Sequence, residues 1–204
     1  YNFEIQDYSE GSIWKIDYDG KVRWKEETVG RAWSLSDYQG QAVIGLSRPK
    51  CGYAIASETG IEYLELEEKK PVTAGCKLDN GGMVFGHSNG SVTEINGGVC
   101  STVSVGESAI CAIDCRSSWV VGLDSGVIST SESVGSWNTK SFESIDVVSY
   151  GPSLEGNTGI WYSSWIGKGR IFLVDSLVGG LQLELSHGSR IVTCFATEES
   201  ICFG

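Results

Sequence analysis

Two histidines, His87 and His187, are the residues of this chain best suited to proton transfer near neutral pH. Each stands beside a turn residue, in His87-Ser88-Asn89-Gly90 and in Ser186-His187-Gly188. A Ser-His-Asp hydrolase needs such a histidine next to a nucleophile and an acid in space. No Gly-x-Ser-x-Gly elbow accompanies either one, so the expected role of both is that of an edge or loop residue. Glycoside chemistry needs two carboxylates facing each other across a cleft. Acidic residues are plentiful, but Asp19, Asp79 and Asp124 all lie in turn sequences, where Asp is favoured by hydrogen bonds to its own backbone. No catalytic residue is assigned from these patterns.

The seven cysteines are Cys51, Cys76, Cys100, Cys111, Cys115, Cys194 and Cys202. None forms a CxxC pair, and no histidine stands at zinc-site spacing from them. An odd number leaves at least one unpaired. Most lie in apolar runs such as Ile110-Cys111-Ala112-Ile113 and Ile201-Cys202-Phe203, where a reduced thiol acts as a small buried hydrophobe. The expectation is reduced cysteines and a cytoplasmic or other reducing intracellular compartment, with one or two disulfides in a secreted chain as the alternative. No phosphate-cradling loop of the P-loop or dinucleotide type is present, and no cofactor or metal is expected.

Aromatic residues are the remaining candidates for recognition. Trp161, Tyr162 and Trp165 fall in one segment, close to Lys168. Aromatics on strands pack against neighbouring elements, whereas those at loops anchor partners. Trp165 is expected to be the exposed one. The candidate binding residues are therefore Trp165, Trp161, Lys168 and His87.

The 204 residues carry a formal net charge of −11. Lys and Arg are scattered, so the basic stripe that a nucleic-acid surface requires is missing. No run approaches the roughly eighteen apolar residues needed to span a bilayer as a helix, and no secretory leader opens the chain. The first residue is Tyr1 rather than Met, as expected of a processed, trimmed or partial chain. Glycine numbers 27 and proline 3, the balance of many tight turns and few stiff loops.

The elements that must position these residues repeat. A short apolar run, a Gly or Ser, a polar turn and a second β-rich run occur as Ala42–Ile55, Met83–Val92, Trp119–Ile128 and, more loosely, Ile160–Phe172. The landmark glycines Gly11, Gly52, Gly90, Gly126 and Gly169 are separated by 41, 38, 36 and 43 residues. A four-stranded propeller blade takes about 40–45. A polar turn and a third β-rich run follow each copy. Asp19-Gly20 precedes Lys21-Val22-Arg23-Trp24, and Gly179-Gly180 precedes Leu181-Gln182-Leu183-Glu184-Leu185, which alternates apolar and polar. Asp-Gly supplies the positive φ of a primed hairpin turn, and strict alternation marks a half-buried strand. Runs rich in small residues, such as Ala109–Ile113 and Ile191–Ala196, then lead into the next copy and suit crowded inner strands. No window carries helical periodicity.

These features predict a single all-β domain over 1–204, a β-propeller of about five four-stranded blades. The C-terminal Ile201-Cys202-Phe203-Gly204 matches the first half of the repeated hairpin, and Ser9–Asp17 supplies its second half. The expectation is one blade shared between the two termini. The alternative is an arc of a longer propeller of six to eight blades.

Ser108–Ile128 resembles a WD40 blade without its Trp-Asp ending, and Val174-Asp175 stands where that ending falls. Ile13–Trp24, with Asp17, Asp19-Gly20-Lys21 and Trp24, resembles a quinoprotein-like blade. The Gly-His and Trp-Asp pairs of the standard WD40 repeat are absent. Phe142-Glu143 followed by Ile160–Ser164 is similar to a blade of the diphthine methylesterases, a WD40-like esterase family, with no catalytic residue that carries over. The resemblance implies a propeller that serves as a non-catalytic scaffold for protein partners within an assembly. A lectin-like propeller binding carbohydrate or small ligands, and a hydrolase acting in the central funnel, are the alternatives.

Overall fold

The computed structural model describes residues 4, 6–131, 136–138, 144–155, 157–165, 169–175, 180–186, 188–197 and 199–204. Every element in it is a strand. Among the described residues no helix is long and apolar enough to cross a membrane.

Four sheets are complete antiparallel meanders in chain order. The first holds β3 (Ala32–Tyr38), β4 (Gln41–Leu46), β5 (Tyr53–Ser57) and β6 (Gly60–Leu64). The second holds β7 (Val72–Lys77), β8 (Met83–His87), β9 (Ser91–Asn96) and β10 (Val99–Ser104). The third comprises β11 (Ile110–Cys115), β12 (Trp119–Leu123), β13 (Val127–Thr130) and β14 (Ser136–Asn138). The fourth comprises β15 (Ile145–Pro152), β16 (Thr158–Trp165), β17 (Gly169–Asp175) and β18 (Leu181–Ser186). Two hairpins flank them, β1 (Glu10–Ile16) with β2 (Val22–Val29), and β19 (Cys194–Ala196) with β20 (Ile201–Phe203). The first strand of each sheet touches the first strand of the next, in the order β3, β7, β11, β15, β19. This is the arrangement of propeller blades around an axis.

The shared blade does not form as expected. The β1–β2 and β19–β20 hairpins are separate two-stranded sheets, and no ladder joins β20 to β1 among the described residues. Matching sequence halves establish which strand types are present. They do not bring the two edges within hydrogen-bond reach.

Neighbouring blades lock together through a repeated knob and hole. The second strands β4, β8 and β12 carry Gly45, Gly86 and Gly122 in mid-strand. The first residue of the next blade's inner strand fills the space left by each missing side chain. A Cβ on Gly45 would meet Val72 at 2.5 Å, and one on Gly86 would meet Ile110 at 2.6 Å. Gly122 receives Ile145 in the same way. In the fourth blade Ser163 takes this place, and its hydroxyl donates to the Ile191 carbonyl at 3.3 Å. Val72, Ile110, Ile145 and Ile191 are in consequence fully or almost fully buried. Such packing at interior density fixes one blade against the next. The landmark glycines divide by role. Gly90 and Gly126 adopt φ of +79°, which only glycine takes up without strain. Gly52 is demanded by close approach, since a Cβ there would meet the Leu64 carbonyl oxygen at 2.5 Å.

Seven cysteines resolve into one disulfide and five free thiols. Cys76 on β7 is bonded to Cys115 on β11, and Cys51, Cys100, Cys111, Cys194 and Cys202 are free. The expectation of a wholly reduced set is corrected for this pair. Adjacent inner strands bring the two residues to a Cα separation of 5.9 Å although they lie 39 apart in sequence, a distance a disulfide spans without backbone movement.

Candidate functional site: the mouth of the central channel

All five inner strands are irregular at the same place. The register slips between Ala32 and Ser34, Val72 and Ala74, Ile110 and Ala112, and Ile145 and Val147. Ahead of β19, Val192 and Thr193 both donate to the Gly204 carbonyl, at 2.9 and 3.1 Å, which is the same irregularity. Each is a β-bulge, where two residues oppose one and a side chain is re-aimed. The extra residues are Trp33, Thr73, Cys111, Asp146 and Val192. All five line a central channel of about 500 Å³. They form a ring at the end where the inner strands begin, the same end as the turns carrying Gly90 and Gly126.

The ring is chemically uneven. Trp33 is 44% exposed, and the Arg31 guanidinium lies 3.8 Å from its ring centroid and 5.4 Å from that of Tyr8. Thr73 donates to the Gly86 carbonyl at 3.2 Å. Asp146 accepts the Arg190 guanidinium on one oxygen, at 2.5 and 3.2 Å, while its other oxygen is buried without a hydrogen-bond partner. Burial raises the pKa of the Cys111 thiol, the nearby carboxylates of Asp124 and Asp146 add to the rise, and Ser144 opposes it. Cys111 is thereby held as a thiol, the weakly nucleophilic form. Among the described residues no three His, Cys, Asp or Glu side chains are placed to hold a metal ion.

Beneath the mouth, Asp114 ties the third blade to the fourth. One carboxylate oxygen accepts the Ser149 hydroxyl at 2.9 Å and the Tyr150 amide at 2.8 Å, and the other accepts the Cys115 amide at 2.9 Å. Arg116 donates to the Tyr150 carbonyl at 2.9 Å, and the Tyr150 hydroxyl is 3.0 Å from that of Ser118.

Of the residues singled out from sequence, His87 and Trp161 stand in different blades, on β8 and β16. His87 is fully buried at the end of β8. Its Nδ1 faces the Lys70 carbonyl at 3.2 Å and must donate to it, which leaves Nε2 to accept the Thr93 hydroxyl at 2.9 Å. Thr93 in turn accepts from Thr102 at 2.9 Å. These bonds use both ring nitrogens, so His87 is an interior residue with no surface for a partner. Trp161 is also interior. Its indole N–H donates to the Pro152 carbonyl at 2.9 Å, and its ring packs 6.0 Å from that of Phe203. β16 ends at Trp165, opposite Gly169. The Trp165 side chain, Lys168, His187 and the Phe142-Glu143 pair lie outside the described residues. The bulge ring escaped the sequence reading. Its only trace was the position of the small-residue runs.

Burial lowers the His87 pKa, against smaller opposing effects of the Lys70 carbonyl and Glu68. The unfolded chain therefore takes up a proton near pH 6.5 that the folded protein does not. The stabilisation is fully present above about pH 6.5 and is lost as pH falls from there toward the lowered folded value. The urea midpoint is expected to drop between pH 7 and pH 5, with a shallower drop in His87→Gln. Equal slopes in the two proteins would refute the assignment.

The antiparallel four-stranded blades, the sequence of inner strands around one channel and the inter-blade packing define a β-propeller. The chain superposes on the crystal structure of Sqt1 from Saccharomyces cerevisiae, a WD40 β-propeller, with a TM-score of 0.69 and 14% sequence identity. The superposition covers 93% of this chain and 59% of that one, so this chain spans less than two thirds of that propeller's length. No protein-family model matches the chain, and no curated protein matches it.

Proposed function

We propose that this propeller is a non-enzymatic scaffold that binds a protein partner at the channel mouth. The observation that carries the reading is the coincident bulge on all five inner strands, which turns Trp33, Thr73, Cys111, Asp146 and Val192 toward one opening. Bulges are conserved devices for re-aiming side chains at functional surfaces. The half-exposed Trp33, stacked under Arg31 beside Tyr8, has the Trp, Tyr and Arg composition of interface hot spots. A lectin-like propeller would repeat one pocket in every blade. Here the five equivalent positions hold five different residue types, which favours one irregular partner surface over repeated sugar sites.

A photo-crosslinking side chain placed at Thr73 in the full chain is expected to yield one discrete protein adduct. Trp33→Ala is expected to weaken capture at least about tenfold, the loss of some 1.4 kcal/mol at a hot spot, with the melting temperature unchanged. An adduct indifferent to Trp33→Ala, or formed equally from Thr102 on the outer strand β10, would overturn the reading.

A further inference from the structure

The four complete sheets end on the outer strands β6, β10, β14 and β18. An outer strand leaves one row of backbone groups unpaired, and charged side chains or short length ordinarily keep such an edge from pairing with another chain. Three of the four carry one of these devices. β6 has Glu62 and β18 has Glu184, whereas β14 is three residues long among the described residues. β10 has neither. Its six residues, Val-Cys-Ser-Thr-Val-Ser, include no charge and no proline, and its pairing with β9 runs without a bulge. All six are exposed, Val99 at 70% and Val103 at 49%. Among the described residues no strand lies on its far side.

This edge is regular enough to set a register. The two-residue turn Gly97-Gly98 has φ of +57° and +81°. That is the primed hairpin type, which closes the ladder on a hydrogen-bonded pair, here Asn96 with Val99. Bonded and non-bonded pairs then alternate along the strands. Val99, Ser101 and Val103 direct their backbone groups at β9, and the Val105 amide continues the series by donating to the Gly90 carbonyl at 2.9 Å. Cys100, Thr102 and Ser104 direct theirs outward.

An antiparallel strand added here must set outward residues against outward residues. A second β10 does so about a two-fold axis through Ser101. Cys100 then exchanges backbone bonds with Thr102 of the second copy, in both directions. Val99 faces Val103 of the second copy, twice by symmetry, so the exposed valines cover one another. Branched cross-strand pairs of this kind are the stabilising unit of an antiparallel ladder. An axis through Thr102 keeps the same alternation but sets Val99 against Val105, which is already packed on its own core beside Leu123. The charge distribution favours the same contact. The chain carries a net charge of −11, which repels a second copy over most of the surface, and β10 is an uncharged edge.

We infer that two copies of this chain pair through β10 and join their second blades into one continuous sheet. The contact is isologous and closes at the dimer. It is independent of the channel mouth. A photo-crosslinking side chain at Thr102 is expected to yield an adduct made of this chain alone, distinct by mass spectrometry from a partner adduct at Thr73.

Sedimentation of the purified full chain is expected to show a mass rising with concentration from 22.0 kDa toward twice that value. Ser101→Cys in a Cys100→Ser background places one thiol on the axis. A non-hydrogen-bonded pair brings the two Cα atoms to about 4.5 Å, within the reach of a disulfide. Mild oxidation is expected to give a dimer whose peptide map joins position 101 to itself. Val99→Glu combined with Val103→Glu removes both valine pairs and charges the edge. The double variant is expected to raise the dissociation constant at least about tenfold, at unchanged far-UV circular dichroism. A monomer mass at every concentration would overturn the inference. So would a dimer indifferent to the two glutamates, or one in which position 101 bonds only to other cysteines.

Discussion

Replacing both Cys76 and Cys115 with alanine is expected to lower the free energy of unfolding by about 2–4 kcal/mol, seen as a fall in the urea midpoint at unchanged slope. The bond joins the inner strands of two neighbouring blades across 39 residues of chain, one blade repeat. Breaking it frees the unfolded chain to explore a loop of that length, and the entropy regained favours unfolding. Alanine rather than serine keeps the change apolar, because both sulfurs pack against the cluster that includes Trp119 and Val121. The native protein should show five titratable thiols after unfolding without reductant, those of Cys51, Cys100, Cys111, Cys194 and Cys202. All seven should appear after reduction. Seven thiols without reductant would refute the bond, and an unmoved midpoint would refute its weight.

Asp114→Ala is the second large effect, with an expected loss of roughly 2–4 kcal/mol. Three donors converge on its carboxylate: the amides of Cys115 and Tyr150 and the Ser149 hydroxyl. Hydrogen bonds to a charged acceptor are worth more than neutral ones, and truncation takes that acceptor from both amides in a partly buried place, while the Ser149 hydroxyl keeps the Tyr150 carbonyl at 3.2 Å. The Ser149 and Tyr150 bonds cross between blades, so the substitution loosens the third blade from the fourth as well as weakening each. Asp114→Asn retains an acceptor oxygen and is expected to recover part of the loss. Chemical denaturation of the two variants beside wild type decides the matter. A loss under 0.5 kcal/mol for Asp114→Ala, the range of ordinary surface substitutions, would show that the network carries no weight. The cost belongs to stability. In the aligned inner strands Asp114 lies three residues along from the mouth position held by Cys111.

The repeat was legible because it is local. Asp19-Gly20, Asn89-Gly90 and Ser125-Gly126 announce turns by their own backbone preferences, and the alternating Leu181–Leu185 announces a strand by its pleat. The recurrence of such phrases about every forty residues allows few folds other than a propeller. The glycines of the apolar runs were a different matter. Gly45, Gly86 and Gly122 read as parts of a hairpin phrase, yet they act as sockets for Val72, Ile110 and Ile145 of the next blade. That role appears only once two blades are face to face. The aromatic pattern was similarly ambiguous, because a Trp on a strand packs or protrudes according to what stands opposite. Trp161 packs on Phe203, whereas Trp33, in an ordinary small-residue run, is turned outward by a bulge.

By itself, the order of residues determined the strands, their turns, the blade period and the antiparallel meander, since each follows from side-chain alternation and local dihedral preference over a few neighbours. The tertiary structure decided which residues meet at the channel mouth, that Cys76 pairs with Cys115, that His87 is enclosed, and that β20 and β1 remain apart. The physical reason is that all four depend on register and spacing between strands distant in sequence. A one-residue slip moves a side chain to the opposite face, and no local preference of the chain encodes it.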